Sequence, residues 1–223
     1  MIDFAELRRG MVDGQVRTND VTDLRIVEAM LDIPRERFVP PALEPFAYID
    51  GDIQLRPASD AAPARFLLEP RVLAKLIQLA DVQPDHRVLD VAPGTGYSSA
   101  ILGRLSGQVV AVDDVPEFVS TAKATLAQLD LANVAVVEGR LTAGWPSQAP
   151  YDAIFLNGAV EVIPAILFDQ LKDGGRLLTV MGYGGAGRAA VFTKIAGGVS
   201  EVFDFNAAIP PLPGFAAPPR FVF

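Results

Sequence analysis

Two aspartates and two glycines lie where short apolar segments end, and they are the residues of this chain best suited to bind a ligand. Asp90 lies in the apolar run 87–92, Gly94 and Gly96 follow it, and Asp113 ends the next apolar run, 19 residues after Gly94. Glycine permits positive φ and lets a ligand approach the loop amides, while the start of a following helix favours an anion such as a carboxylate. An acid at position 113 can accept both hydroxyls of a ribose. The pattern predicts a nucleoside-binding loop.

Asp90 helps to choose between the two ligands that such a loop holds. Residues 94–99 nearly satisfy the dinucleotide pattern G-x-G-x-x-G, but the third glycine is replaced by Ser99. A carboxylate directly before the loop would repel a pyrophosphate, whereas it can receive the cationic amino group of S-adenosylmethionine. The sequence therefore favours S-adenosylmethionine, with S-adenosylhomocysteine as its product. An NAD-dependent oxidoreductase and a purely structural glycine turn remain as alternatives.

The elements around this loop alternate between strand and helix. Strands are predicted at residues 87–92, 108–113, 133–138, 151–156 and 176–181, helices at 98–105, 116–129 and 164–172, and a final hairpin at 190–195 and 199–205. Continuously apolar strands indicate a parallel sheet covered on both faces, and the alternation indicates a doubly wound α/β fold. We expect a Rossmann-like, mostly parallel sheet that ends in an antiparallel hairpin, the form of a class I S-adenosylmethionine-dependent methyltransferase.

The first third of the chain has a different character. Residues 1–33 predict two helices, the first with capping-box spacing between Asp3 and Glu6 and the second capped by Thr22 or Asp23. The proline-rich segment 34–65 predicts irregular structure, and Pro70 suits the first turn of the next helix. We expect an N-terminal extension, 1–68, packed on a methyltransferase domain, 69–223, and segment 44–66 is a candidate lid.

Composition excludes several classes of protein and partner. The formal net charge is −8 and no basic cluster is present, so a nucleic-acid partner is not expected. The 223 residues include no cysteine, which excludes disulfides, thiolate metal sites and a cysteine nucleophile, and no metal is expected. No apolar run approaches the ~20 residues that cross a bilayer, and the N-terminus does not resemble a signal peptide. We expect a cytoplasmic protein without a membrane partner.

Several segments together resemble the protein-L-isoaspartate O-methyltransferase family. They are the run Ile-Pro-Arg-Glu-Arg-Phe-Val-Pro at 33–40, the loop Pro-Gly-Thr-Gly-Tyr-Ser at 93–98, the stretch at 170–177, and Arg220, Phe221 and Val222 near the end. The run at 33–40 is the most specific, since generic methyltransferases lack it. The likeness extends from about Met11 to the C-terminus. It implies protein repair by esterification of an isoaspartyl carboxylate.

The chain also departs from the family pattern. Before Pro70, where the family carries a Gly-x-Thr-Ile-Ser motif, residues 65–69 read Arg-Phe-Leu-Leu-Glu; the family's active-site serine falls on Leu68, and Ser59 is a weak candidate to substitute for it. No other catalytic residue is proposed. Residues 56–64 form a longer connection than usual. Ala92 replaces the usual first loop glycine, and the Val-Glu-Gly run at 137–139 replaces Gly-Asp-Gly.

The candidate cofactor residues combine the loop, the acids at the strand ends and the residues that match the family. They are Asp90, Ala92, Pro93, Gly94, Thr95, Gly96, Asp113, Asp114, Glu138, Gly139 and Asn157.

Loss of the serine leaves two functional hypotheses. A carboxylate acceptor is ionised at neutral pH and needs no general base, so methyl transfer relies mostly on alignment of the reactants. The first hypothesis is an enzyme that methylates a protein or peptide carboxylate, or a small-molecule acceptor. The second is a homologue that binds S-adenosylmethionine or S-adenosylhomocysteine as a sensor or scaffold. The oligomeric state is left open by the sequence.

Overall fold

The computed structural model describes residues 2–60 and 62–218, which form six α-helices and nine strands. The helices are α1 (Phe4–Met11), α2 (Leu24–Asp32), α3 (Pro70–Ala80), α4 (Tyr97–Leu105), α5 (Pro116–Gln128) and α6 (Ala165–Asp169). The strands are β1 (Ile53–Arg56), β2 (Arg65–Leu67), β3 (Arg87–Val91), β4 (Gln108–Asp113), β5 (Val134–Glu138), β6 (Tyr151–Val160), β7 (Leu171–Met181), β8 (Arg188–Ile195) and β9 (Gly198–Asn206).

Seven strands form one central sheet in the order β5-β4-β3-β6-β7-β8-β9. The first five are parallel, whereas β8 runs antiparallel to both β7 and β9. The predicted α/β fold, a mostly parallel sheet ending in an antiparallel hairpin, is confirmed. The strand order reverses beside β3, so the loops after β3 and β4 meet at the carboxyl edge where ligands of such sheets bind.

Local sequence explains where most helices begin. The Asp3 carboxylate accepts a hydrogen bond from the Glu6 amide, and the Asp23 carboxylate caps α2 through the Arg25 amide. Pro70 and Pro116 occupy the first positions of α3 and α5, where their missing N–H has no helical acceptor. Beyond α1 the chain continues into a π-helical turn at Val12–Val16.

Segment 34–65, predicted to be irregular, contains regular structure. Pro41–Phe46 forms a 3-10 helix, and β1 pairs with β2 as a separate antiparallel hairpin. The apolar residues Ile53, Leu55 and Leu67 point inwards from this hairpin. Each strand has only two inward-facing residues, so its alternation is too short to be recognised in a proline-rich segment. Burial against the main domain stabilises the hairpin.

The last predicted helix is shorter than expected and β7 begins earlier. Helix α6 ends at Asp169, and Leu171 already pairs with Tyr151 of β6. The Tyr151 amide donates to the Gln170 carbonyl at 2.8 Å, so sheet pairing replaces the helical hydrogen bonds predicted through residue 172. Apolar periodicity in this segment cannot distinguish the two outcomes.

The segment after β9 is strapped across the carboxyl edge of the sheet. The Ala159 amide donates to the Pro210 carbonyl at 2.9 Å, and the Leu212 amide donates to the Ala159 carbonyl at 2.8 Å. Phe215 is buried in the cluster on one face of the sheet. The resemblance at Arg220, Phe221 and Val222 lies outside the described residues.

The hydrophobic core does not separate the N-terminal extension from the main domain. One continuous buried cluster includes Met30, Phe38 and Leu68 together with Leu76 and Ile101. The proposed boundary at residue 68 stays a prediction. Within the described residues no helix has the length and apolar character needed to cross a membrane.

Replacement of Phe215 by alanine tests whether the C-terminal strap stabilises the fold. The ring is 1% exposed, so Phe215→Ala is expected to lower the free energy of unfolding by about 3–5 kcal/mol. Urea denaturation followed by circular dichroism measures this loss. Phe46→Ala is the matched control, because Phe46 is 55% exposed and its loss should cost less than about 1 kcal/mol. Equal losses would contradict the strap's role.

Candidate functional site

The loop between β3 and α4 turns sharply through three residues with positive φ. The φ angles are 60° at Ala92, 59° at Gly94 and 100° at Gly96. A side chain in this left-handed region costs roughly 1–2 kcal/mol, which explains why glycine is the residue expected at position 92. The Ala92 amide donates to the Val112 carbonyl at 2.8 Å. This bond ties the loop to the adjacent strand β4.

Asp113, at the end of β4, is fully buried beside this loop. Its carboxylate accepts hydrogen bonds from the Gly94 amide at 3.0 Å and the Val115 amide at 3.1 Å. Burial raises the pKa of Asp113, an effect that the Arg65 guanidinium and the two amides oppose. The structure thus places the predicted ribose acceptor against the predicted loop.

The remaining hydrogen-bonding capacity of Asp113 is taken by Arg65. The two terminal nitrogens of Arg65 lie 2.7 Å and 3.1 Å from the two Asp113 oxygens, and one of them also lies 3.0 Å from Asp114. The side chains of Arg65 and Asp113 are 5% and 0% exposed. Sequence reasoning missed Arg65. The available signal was an arginine in the otherwise apolar segment that replaces the family's Gly-x-Thr-Ile-Ser motif.

Asp90 is also fully buried, but it has neutral partners. One carboxylate oxygen accepts from the hydroxyls of Ser98 and Ser99 at 2.7 Å and 2.6 Å. The other accepts from the Asn157 amide at 2.6 Å, and that amide also donates to the Val91 carbonyl at 2.9 Å. Burial raises the pKa of Asp90 to about 6, although the serine and asparagine donors oppose the rise. The structure brings together Asp90 and Asn157, both predicted site residues, whereas the two serines were missed.

The loop itself is covered by the N-terminal extension. Residues 91–100 are all buried. A Cβ placed on Gly94 would lie 2.7 Å from Cδ1 of Leu55, and the Thr95 hydroxyl donates to the Phe38 carbonyl. Gly94 and Thr95 of the loop thus contact residues of the N-terminal extension.

Leu68 lies at the same edge of the sheet as Asn157. Both residues, together with Leu212, line a cavity of only about 10 Å³. The Leu68 carbonyl accepts a hydrogen bond from the buried Arg35 guanidinium at 2.8 Å. Ser59, in contrast, lies exposed at the hairpin turn, where its backbone pairs with Ala62. That the Ser59 hydroxyl substitutes for the family's serine stays a prediction, with no supporting contact among the described residues.

The outer end of the predicted site contains Asp114, Glu138 and Gly139. Asp114 and Glu138 are exposed. The Gly139 amide donates to the Asp113 carbonyl at 3.0 Å, and the Trp145 ring packs against Gly139. Among residues 2–60 and 62–218, no group of three or more histidines and acids is arranged to hold a metal ion.

The residue types at this edge fit S-adenosylmethionine, whereas their arrangement is closed. Asp113 and the positive-φ loop have the residue types expected of a ribose acceptor and an amide-lined loop. Arg65 contacts Asp113, and Leu55 lies against Gly94. The role of each candidate residue in cofactor binding therefore stays a prediction.

The fold and this loop define a Rossmann-like methyltransferase domain dependent on S-adenosylmethionine. The family model described as protein-L-isoaspartate(D-aspartate) O-methyltransferase matches residues 8–207. The chain belongs to this family, which confirms the resemblance found in the sequence.

Curated relatives with the family's name cover most of the chain. A protein-L-isoaspartate O-methyltransferase of Gloeobacter violaceus is 34% identical over 203 residues, which are 91% of this chain and 96% of the relative. The protein-L-isoaspartate O-methyltransferase 2 of Anaeromyxobacter sp. is 36% identical over 195 residues, 87% of this chain and 78% of the relative.

Solved structures support the same fold. A protein-L-isoaspartate O-methyltransferase superposes with a TM-score of 0.79 at 26% identity, covering 93% of this chain and 66% of that one. A Plasmodium falciparum protein described as a putative member, in complex with S-adenosyl-L-homocysteine, gives a TM-score of 0.74 at 18% identity, covering 95% of this chain and 99% of that one. The second similarity concerns the fold alone.

The raised pKa of Asp90 predicts a pH-dependent loss of stability. Because the pKa rises from 3.8 to about 6, the native protein keeps a proton that the unfolded chain loses between these values, and stability falls as the pH rises through this window. Asp90→Asn carries no such proton. The free energy of unfolding of the wild type relative to this variant should fall by about 2–3 kcal/mol from pH 4 to pH 7, at 1.36 kcal/mol per unit.

Urea denaturation at several pH values measures this difference. Asp85→Asn, at an exposed aspartate before β3, serves as the control, and its stability relative to the wild type should change little with pH. A wild-type stability that stays parallel to that of Asp90→Asn would contradict the burial argument.

Alanine substitution at Gly94 tests the contact between the loop and the hairpin. Gly94 and Gly184 have φ angles of 59° and 58°, but an added Cβ meets Leu55 at Gly94 and nothing within 4 Å at Gly184. Both variants share the cost of positive φ, about 1 kcal/mol, so Gly94→Ala should lose about 1–2 kcal/mol more than Gly184→Ala. Adding Leu55→Ala to each variant should remove this excess; equal losses in the two glycine variants would exclude the contact.

Proposed function

We propose that this protein transfers the methyl group of S-adenosylmethionine to a carboxylate of a protein or peptide, with isoaspartyl residues as the acceptor class. The observation that carries the proposal is the buried Asp113 carboxylate, held 3.0 Å from the Gly94 amide at the switch point of the sheet. An acid in this position serves the two hydroxyls of a ribose. Family membership over residues 8–207 supports the acceptor class.

The proposal gives each candidate residue a role. Asp113 holds the ribose, the Gly94–Gly96 backbone holds the amino-acid end, and Glu138 is placed to receive the adenine amine. Asp90 is buried and accepts hydrogen bonds from Ser98, Ser99 and Asn157, so in this arrangement it shapes the loop. When bound, S-adenosylmethionine supplies an electrophilic methyl group.

The chain's remaining task is to align the acceptor and to exclude water. A carboxylate acceptor is already ionised at neutral pH, because its pKa lies near 4, so no side chain has to remove a proton. Leu68 and Leu212 line the inner edge of the site and are buried, which favours a dry reaction site. Alignment can supply a large part of the rate enhancement.

Leu68 supports a second candidate, a protein that binds S-adenosylmethionine or S-adenosylhomocysteine without repairing isoaspartyl residues. Leucine offers no hydroxyl to orient the acceptor, and a polar acceptor against an apolar wall is poorly satisfied. A different acceptor, including a small molecule, belongs to the same candidate. We further propose a cytoplasmic location, which agrees with the cysteine-free composition.

Labelled cofactor and an isoaspartyl peptide test the proposal. The wild type is expected to release labelled methanol as the ester decomposes, and to bind S-adenosylhomocysteine in calorimetry. Asp113→Asn keeps the shape of the side chain but weakens its acceptance of a ribose diol. Because Asp113 also pairs with Arg65, the substitution is compared in the Arg65→Gln background, where binding should weaken at least tenfold. Asp204→Asn, at an exposed position of β9, should match the wild type.

The two measurements separate the candidates. If S-adenosylhomocysteine binds but no methanol is released above background, the binding-protein hypothesis replaces the enzyme hypothesis for the isoaspartyl acceptor. If S-adenosylhomocysteine binds neither the wild type nor any variant tested, including those described below, the cofactor is removed from the proposal.

A further inference from the structure

Hairpin β1–β2 presents one face to the cofactor loop, and that face has a mixed composition. Ile53, Leu55, Arg65 and Leu67 are its buried residues. Three of them are apolar, as expected of an inward face. Arg65 is the exception, and its partners are Asp113 and Asp114.

Arg65 satisfies Asp113 in the way that a ribose would. Two N–H groups of one planar guanidinium donate to the two oxygens of the carboxylate, at 2.7 Å and 3.1 Å. A ribose bound by this acid would offer two hydroxyl donors to the same oxygens. Both ligands cannot be bound at once, since the Gly94 and Val115 amides already use further acceptor positions of the carboxylate.

We infer that hairpin β1–β2 is an internal latch on the cofactor site, closed by Arg65 on Asp113, and that the cofactor enters only when this latch opens. The inference rests on the proposed function. Leu55 is the second closing contact, because it fills the space over Gly94. The latch therefore contacts both the ribose acceptor and the glycine loop.

The hairpin is attached in a way that allows this movement. It forms a two-stranded sheet of its own, separate from the seven-stranded sheet, and such hairpins are marginally stable alone. Its base is held from both sides: the Glu69 amide donates to Asp52 at 2.8 Å and Arg35 donates to the Leu68 carbonyl. The turn at 57–60 is exposed. The hairpin can therefore swing about fixed ends near residues 52 and 68.

Space for the displaced arginine exists beside its closed position. A cavity of about 250 Å³ is lined by Arg56, Arg65, Asp114 and Glu117, among others. Asp114 is exposed and already contacts Arg65 at 3.0 Å. Arg65 can thus leave Asp113 while it keeps an acidic partner.

The energetics favour a switch over a purely structural ion pair. Burying an arginine and an aspartate costs desolvation energy that well-packed apolar residues avoid, so such pairs add little net stability. If the closed form outweighs the open form by about a hundred to one, the apparent affinity for the cofactor falls about a hundredfold. Removal of the latch should restore that affinity.

The test compares three variants with the wild type, using S-adenosylhomocysteine as the probe because it lacks the sulfonium charge. Arg65→Gln should bind it at least tenfold more tightly in calorimetry, and Arg65→Lys, which keeps the charge but not the paired contact, should lie between. Arg17→Gln is the matched control: it makes the same charge change, but Arg17 lies outside the hairpin and pairs with Asp13 and not with Asp113. Its affinity should stay within twofold of the wild type.

Hydrogen exchange provides a measurement that would not change if Arg65 had only a structural role. Probe binding to the wild type should increase exchange at residues 53–56 and 65–67 while protecting 93–96. Weaker or unchanged binding by Arg65→Gln, with binding retained by the wild type, would overturn the latch and leave the proposed function intact. If neither the wild type nor Arg65→Gln binds, the latch and the proposed cofactor role of Asp113 both fail.

Discussion

A buried carboxylate at the switch point of a parallel sheet has to be satisfied, and much of this site follows from how Asp113 meets that requirement. Its oxygens accept from two backbone amides and from the Arg65 guanidinium. The amides shape the turns after β3 and β4. The guanidinium brings the β1–β2 hairpin over the loop, so a single acid couples the loop, the extension and the site.

Asp90 shows the other way in which this fold holds a buried acid. Its partners are neutral hydroxyl and amide donors, and burial still raises its pKa to about 6. Asp113, which has a cationic partner that can be exchanged, is suited to ligand binding. Asp90, whose partners belong to the loop and to β6, is suited to holding the loop in place. The two aspartates look equivalent in sequence but differ in their partners.

Family membership and the details of the site carry different information. The match over residues 8–207 defines the fold and the chemistry that the family performs. Leu68 and Arg65 lie in the segment that departs from the family's motif, where Leu68 has no hydroxyl and Arg65 pairs with Asp113. Under the proposed function this departure concerns acceptor orientation and cofactor access.

The sequence alone determined the sheet and the approximate place of the site. Continuous apolar segments predicted β3, β4 and β5 nearly residue by residue, because strands covered on both faces carry a strong local pattern. Glycines and acids at the ends of these apolar segments located the loop and Asp113. Prediction failed at the β1–β2 hairpin and at the boundary between α6 and β7, where the pattern is short and nonlocal pairing decides.

Only the tertiary structure decided which charged groups pair and which distant side chains contact each other. Arg65 and Asp113 are 48 residues apart in the chain, and no local periodicity links them. Asn157 reaches Asp90 across 67 residues for the same reason. Local sequence sets backbone conformation through steric preference and burial, whereas contacts between distant side chains depend on the packing of the whole chain, and here that packing closes the site.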